Sequence, residues 1–346
     1  MLEVQRDIIQ QLASNLGLVA ADVAHALAPQ TQNAAAFEAY SRGRFFWNQR
    51  TPEGLKQARK YFEEATSLDP EYAQAWSGLA DTFVSLYDYG EMTLAESSQH
   101  ATEAIDHALR LDPLLAAAHN SRAHLAMHQW QWTAAQAEFE RAIELDPLYA
   151  PAYHWYALCL TAIGRLDLAV AAMKQAQALD PLSTRINADL GMALFAARAY
   201  DEAIHQEKRT LEIDPEAAVP YWVIGMASAA QGDYDEAFAA FDESLRRSPE
   251  DPSMLGSLGY AYARAGRADD ARATIARLEK TDGAAMDSFS IALVYAGLDE
   301  RPEALDLLER AFKEHSGSVR YLKIDARLDN LRGEPRFKAL LKEVGL

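Results

Sequence analysis

Five prolines set the frame of this chain. Pro113, Pro147, Pro181, Pro215 and Pro249 stand 34 residues apart, and the first four close a Leu-Asp-Pro or Ile-Asp-Pro triplet. Pro70, in Leu68-Asp69-Pro70, opens the series 43 residues before Pro113, so one unit carries nine extra residues. A proline ring cannot join the helical ladder, and it biases the residue before it toward extended backbone, so each of these positions ends a helix. A fixed period of this length means one supersecondary unit repeated and stacked. It overrules the two ordinary domains that 346 residues would otherwise suggest.

Five and twelve residues before each proline the chain places small residues, where two helices cross closely: Ala65 and Ala58, Ala108 and Ala101, Ala142 and Ala135, Ala176 and Ala169. Further back lie large, small and aromatic positions, such as Trp76, Leu79, Ala80 and Phe83 in the second unit and Leu258, Gly259 and Tyr262 in the seventh. This pattern resembles the tetratricopeptide repeat (TPR). The resemblance implies an all-α fold, an α-solenoid (right-handed TPR superhelix) of about eight helix-turn-helix repeats with a C-terminal capping helix. Residues 1–34 read as an N-terminal helical segment and linker, and 35–346 as the array with its cap. Val4, Ile8, Ile9, Leu12 and Leu16 form one helical stripe in the first segment, Val19 to Leu27 is alanine-rich, and Pro29 to Asn33 reads as linker. At the other end Phe337, Leu340, Leu341 and Val344 share a face suited to closing an open hydrophobic end. Repeat five is the least regular, with Glu207 and Thr210 where an aromatic and an alanine are usual. Repeat two carries an insertion around Tyr87 to Glu91, expected to project as a loop from one end of the unit, in a position to lid the groove.

With 33 basic and 51 acidic residues the net charge is −18, which argues against binding a nucleic-acid backbone directly. Asp201-Glu202, Asp235-Glu236 and Asp269-Asp270 fall at the start of second helices, where negative charge complements the helix dipole. The one cysteine, Cys159, lies among Leu158, Leu160 and Ala162 and reads as a buried structural thiol. No apolar run of about 18 residues spans a membrane, and Glu3 and Asp7 stand where an export leader is positive. The expected compartment is the cytoplasm, with the periplasm as the alternative if an upstream membrane-spanning regulator is attached.

Catalytic signatures are missing from the sequence: it has no glycine-rich phosphate loop, zincin helix, nucleophile elbow or paired-cysteine motif. His124 and His128 share a helix face and His154 lies on the next first helix, but the sequence offers no obvious carboxylate or cysteine as a fourth ligand. The expectation is therefore a non-enzyme with no cofactor and no metal, whose histidines belong to an interaction surface.

In the TPR fold, first helices line a concave groove. Carried onto this chain, that resemblance assigns the protein-binding groove to Arg44, Trp47, Asn120, His124, Met127, His128, His154, Leu158, Arg185, Met192, Phe195, Trp222, Met226, Tyr260 and Arg264. Aromatic and methionine side chains give large, adaptable contact area, which suits a protein or peptide segment. The same residues also suit packing between adjacent repeats. The carboxylate clamp that grips acidic chaperone tails is not matched, because these positions offer no lysine.

A narrower resemblance rests on Trp130-Gln131-Trp132, Tyr153-His154-Trp155-Tyr156, Asp180 to Ser183, Ile186 to Gly191, Tyr200 to Ile204, Tyr321 to Asp325 and Pro335-Arg336-Phe337. These runs are similar, in the same order, to TPR regions behind CadC-type winged-helix, TolB-like, kinase or cyclase segments of bacterial signalling proteins. The resemblance implies a partner-binding scaffold or, alternatively, a region that senses a ligand or partner for a regulator. DNA binding does not carry over, and the oligomeric state is open.

Overall fold

In a computed structural model the described residues are 31–280 and 288–346. The expected N-terminal helices lie outside them. All regular elements among the described residues are helical. Eight pairs run in chain order: α1 (Ala34–Asn48) with α2 (Pro52–Leu68), α3 (Ala73–Asp88) with α4 (Leu94–Leu111), α5 (Ala116–His128) with α6 (Trp132–Leu145), and α7 (Ala150–Ala162) with α8 (Leu166–Leu179). They continue as α9 (Thr184–Ala196) with α10 (Tyr200–Ile213), α11 (Ala218–Gln231) with α12 (Tyr234–Arg247), α13 (Pro252–Arg264) with α14 (Ala268–Leu278), and α15 (Ser288–Gly297) with α16 (Arg301–Lys313). Two 3₁₀ turns, Gly317–Tyr321 and Ala326–Leu331, and a closing helix α17 (Pro335–Val344) follow. These are the helix pairs expected of a helical repeat array.

The aspartate before each proline explains how a repeat ends. Asp69, Asp112, Asp180 and Asp214 leave helical geometry for φ of −143°, −137°, −135° and −138°, as a following proline demands. Where the turn then bends, the carboxylate accepts the amide two residues on: Asp69 from Glu71 at 3.1 Å, Asp112 from Leu114 at 3.0 Å, and Asp146 from Leu148 at 3.0 Å. The triplet is thus a helix stop and an Asx turn in one. The acidic pairs occupy the first turns of α10, α12 and α14, as dipole complementarity requires.

The eight spaced alanines are all 0 % exposed, and the second helix drives one large side chain into each crossing. Phe139, Met173, Glu207, Phe241 and Ile275 fill that position at intervals of 34 residues, with Phe62 its counterpart in repeat one. Phe62 lies so close to Gly43 and Gly78 that a Cβ on either would sit 2.7 or 2.5 Å from its ring. The insertion of repeat two does not project as a loop. It lengthens the pair, giving α3 16 and α4 18 residues where α7 and α8 have 13 and 14, and Tyr89 and Met92 pack on the core. Continuing each helix satisfies the added backbone internally, which a free loop leaves to solvent.

Two compact units divide these elements, the first comprising the described residues 31–125 and 137–149, the second 126–136 and 150–346.

Candidate functional site

In the first unit, inner positions of α1, α3 and α5 form a buried polar cluster. Arg44 stands 3.5 Å from Asp81, whose other oxygen accepts the Ser121 hydroxyl at 2.5 Å. Burial raises the Asp81 carboxyl above its ordinary value, and Arg44 and Ser121 oppose that only in part. Trp47, 3 % exposed, lies between two guanidinium groups, Arg44 at 4.3 Å and Arg50 at 3.5 Å from its ring. Asn120 and His124 are buried, and His124 pairs with Asp88 at 3.1 Å.

The second unit holds the larger site, and the C-terminal segment builds half of it. At the turn between paired helices one residue per repeat takes left-handed backbone: Trp130 (φ 57°), Gly164 (82°), Arg198 (62°), Gly232 (84°), Gly266 (78°) and Asp299 (61°). Glycine adopts this geometry without steric cost, and a bulky side chain does not. Each of the three exceptions touches the C-terminal segment. Trp130 stacks on Phe312 and His315 with ring centres 5.2 and 4.7 Å away, Arg198 donates to Asp329 at 2.6 Å, and Asp299 accepts from Asn330 at 3.2 Å. The segment also donates from Arg327 to Ser257 Oγ at 2.7 Å and from Asn330 to the Ala296 carbonyl at 2.9 Å. Beyond it, Trp132 Nε1 donates to the Val344 carbonyl at 2.8 Å and fixes α17.

This strap is part of the core. Val319, Leu322, Leu328 and Leu331 are 0 % exposed, and four aliphatic side chains buried at about 1.5–3 kcal/mol each give roughly 6–12 kcal/mol as an upper figure. Their burial ties the strap into the packed interior of the second unit.

Between strap and inner helices remains a cavity of about 140 Å³. Leu158 of α7, Arg185, Asp189, Met192 and Phe195 of α9, Trp222 of α11, Ser253 of α13 and Phe289 and Leu293 of α15 line one side, and Ser318, Tyr321, Ile324, Asp325 and Arg327 the other. Asp189 Oδ2 accepts from His154 Nε2 at 2.7 Å and from Arg185 Nε at 2.8 Å. Burial pushes the Asp189 carboxyl up, but Arg185 and His154 outweigh it and hold the group down at about 2. Arg327 grips Asp325 through Nε and Nη2, and Ser257 Oγ gathers Arg327, the Trp222 indole at 2.8 Å and its own bond to the Ser253 carbonyl at 2.7 Å.

Of the residues assigned to the groove, Leu158, Arg185, Met192, Phe195 and Trp222 thus face the cavity, with His154 behind Asp189. Met226 is buried in α11, Tyr260 is half-buried and Arg264 exposed on α13, and Met127 and His128 are buried at the end of α5. Sequence reasoning missed Asp189, Ser257 and Arg327 as members of one site, and the strap altogether. The signal lay in the runs Ile186 to Gly191 and Tyr321 to Asp325, which meet here.

TPR family models match residues 120–184, 162–218 and 228–286. Over those residues the chain carries tetratricopeptide repeats. Among solved structures, the Cut9–Hcn1 hetero-tetramer of the APC/C is similar at a TM-score of 0.57 and 18 % identity over 84 % of this chain and 52 % of that one. A tetratricopeptide repeat protein from Parabacteroides merdae is similar at 0.53 and 16 % identity, over 79 % of this chain and all (100 %) of that one. Both likenesses show the fold. No curated protein matches, and none of these comparisons supports the narrower resemblance to CadC-type or TolB-like regions. No helix among the described residues is long and apolar enough to cross a membrane.

Proposed function

We propose that this chain is a non-enzymatic scaffold that holds a protein or peptide segment against first helices of the array, as TPR proteins generally bind protein partners. The observation supporting this reading is the strap itself. The inner side of the second unit accepts a polypeptide segment, burying its aliphatic side chains and hydrogen-bonding its polar ones to Ser257 and Ala296. Because the strap occupies the middle of that surface, the partner segment uses the positions beside it, of which Arg264 is exposed. A photo-crosslinking residue placed at Arg264 tests this in a source-cell lysate, with one at exposed Lys174 on α8 as control. A discrete partner captured from Arg264 and not from Lys174 is expected. Equal capture from both, or none, refutes the reading.

A second reading, a ligand-sensing region of a regulator, draws support from the cavity. A molecule held there touches Tyr321, Asp325 and Arg327 of the strap, and so engages the C-terminal segment directly.

A further inference from the structure

We propose that the cavity of the second unit binds a small zwitterion with an apolar body, a free amino acid of the leucine, isoleucine or methionine class; this rests on the ligand-sensing reading. Its size sets the first bound. At about 140 Å³ it is close to the roughly 150 Å³ cavity that admits benzene, so a guest of about six to ten non-hydrogen atoms fits and a peptide does not.

The walls set the second. Met192, Phe195, Trp222, Phe289 and Leu293 surround the guest with apolar and aromatic surface, which rejects a wholly polar solute. Charge enters only as opposed pairs, Arg185 with Asp189 on α9 and Arg327 with Asp325 on the strap. A lone cation or a lone anion meets a like charge beside each attractive one. A molecule carrying both signs on one carbon satisfies both.

Specific atoms await it. Asp189 is 5 % exposed, and both donors it receives converge on Oδ2; Oδ1 has no protein donor among the described residues. Asp189 lines the cavity, and an ionised carboxylate oxygen without a protein donor gains a charge-assisted hydrogen bond from an ammonium group. Of the five N–H groups of Arg327, the bonds to Asp325 and Ser257 use one on each nitrogen, leaving a second hydrogen on Nη1 and on Nη2. A ligand carboxylate accepts these. The hydroxyls of Tyr321 and Ser253, which also lack protein partners among the described residues, complete the polar end.

Calorimetric titration of the full chain with leucine, isoleucine and methionine tests the site, alongside amines lacking the carboxyl and acids lacking the amino group. The expected result is saturable binding of at least one parent amino acid, weakened at least about tenfold by loss of either charge. Met192→Phe, which fills the cavity from a half-buried position, is expected to abolish binding while the circular dichroism spectrum stays helical. No saturable binding by any of the three overturns the proposal. So does equal affinity for the deaminated or decarboxylated analogue, which would make the cavity a simple apolar or ionic hole. Proteolysis of residues 314–334 with and without ligand separates the two claims. Binding without altered cleavage keeps the site and refutes the sensing role.

Discussion

Glu207 occupies the position that Phe139, Met173 and Phe241 fill in neighbouring repeats, and it offers a quantitative test of the repeat argument. The side chain is 0 % exposed, and neither carboxyl oxygen finds a hydrogen-bond partner. It lies against Gly191 so closely that a Cβ there would sit 2.0 Å from Oε1. Burial raises its carboxyl well above the ordinary value, the Asp189 charge adds to the effect, and Thr210 offsets little of it. Glu207→Met installs the residue of the preceding repeat, similar in length and equally unbranched. Removing an unsatisfied buried carboxyl is worth about 1–3 kcal/mol, and the added apolar contact about 1 more, so a gain of roughly 2–4 kcal/mol is expected at neutral pH. The sign of the pH dependence follows from linkage. Above the ordinary value of 4.5 the unfolded chain has released this proton while the folded chain retains it, so wild-type stability falls as pH rises until the folded group ionises. The gap between variant and wild type therefore widens from pH 5 to pH 8. Urea unfolding followed by circular dichroism at both values measures it, with amide hydrogen exchange in α9 and α10 as the local readout. A wild type as stable as the variant at pH 8, or a gap that narrows with rising pH, refutes the reasoning.

Three further outcomes are expected. Ala169→Leu overpacks a crossing that is 0 % exposed and costs about 1–3 kcal/mol, read from the urea midpoint. Trp132→Phe removes the indole bond to the Val344 carbonyl, and hydrogen exchange in α17 accelerates by about five- to tenfold while the helices distant from it keep their protection. The Cys159 thiol, buried at 0 % exposure and pushed up to about 12, stays unreactive toward a thiol reagent at pH 8 until urea unfolds the chain; rapid native labelling contradicts its packing.

The repeat frame was legible because it rests on local rules. Proline geometry, aspartate turns and small residues at crossings each act within a few positions, so Ala58 or Asp112 declares its place without knowledge of the rest. Even the misfit of Glu207 was visible as a break in the period. The cavity was half legible. Leu158, Met192, Phe195 and Trp222 follow from counting along first helices, whereas Arg327 meets Ser257 from 70 residues away, and no periodic rule predicts where a non-repetitive tail returns. The insertion of repeat two was misjudged for a related reason. Extra residues in a helical pair extend the helices if their sequence permits, and Leu86, 3 % exposed, has core to occupy there.

The tie between Trp132 and Val344, 212 residues apart, changes how the second unit comes undone. In an open stack each repeat leans only on its neighbours, so unwinding starts at an end and proceeds stepwise. Here the last helix is buckled to the start of α6, and neither terminus of that stretch peels away alone. Pulled apart, the second unit should release as one event in place of a staircase of single repeats, and the long closure needed to fasten the buckle should make it slower to refold than its helical content suggests.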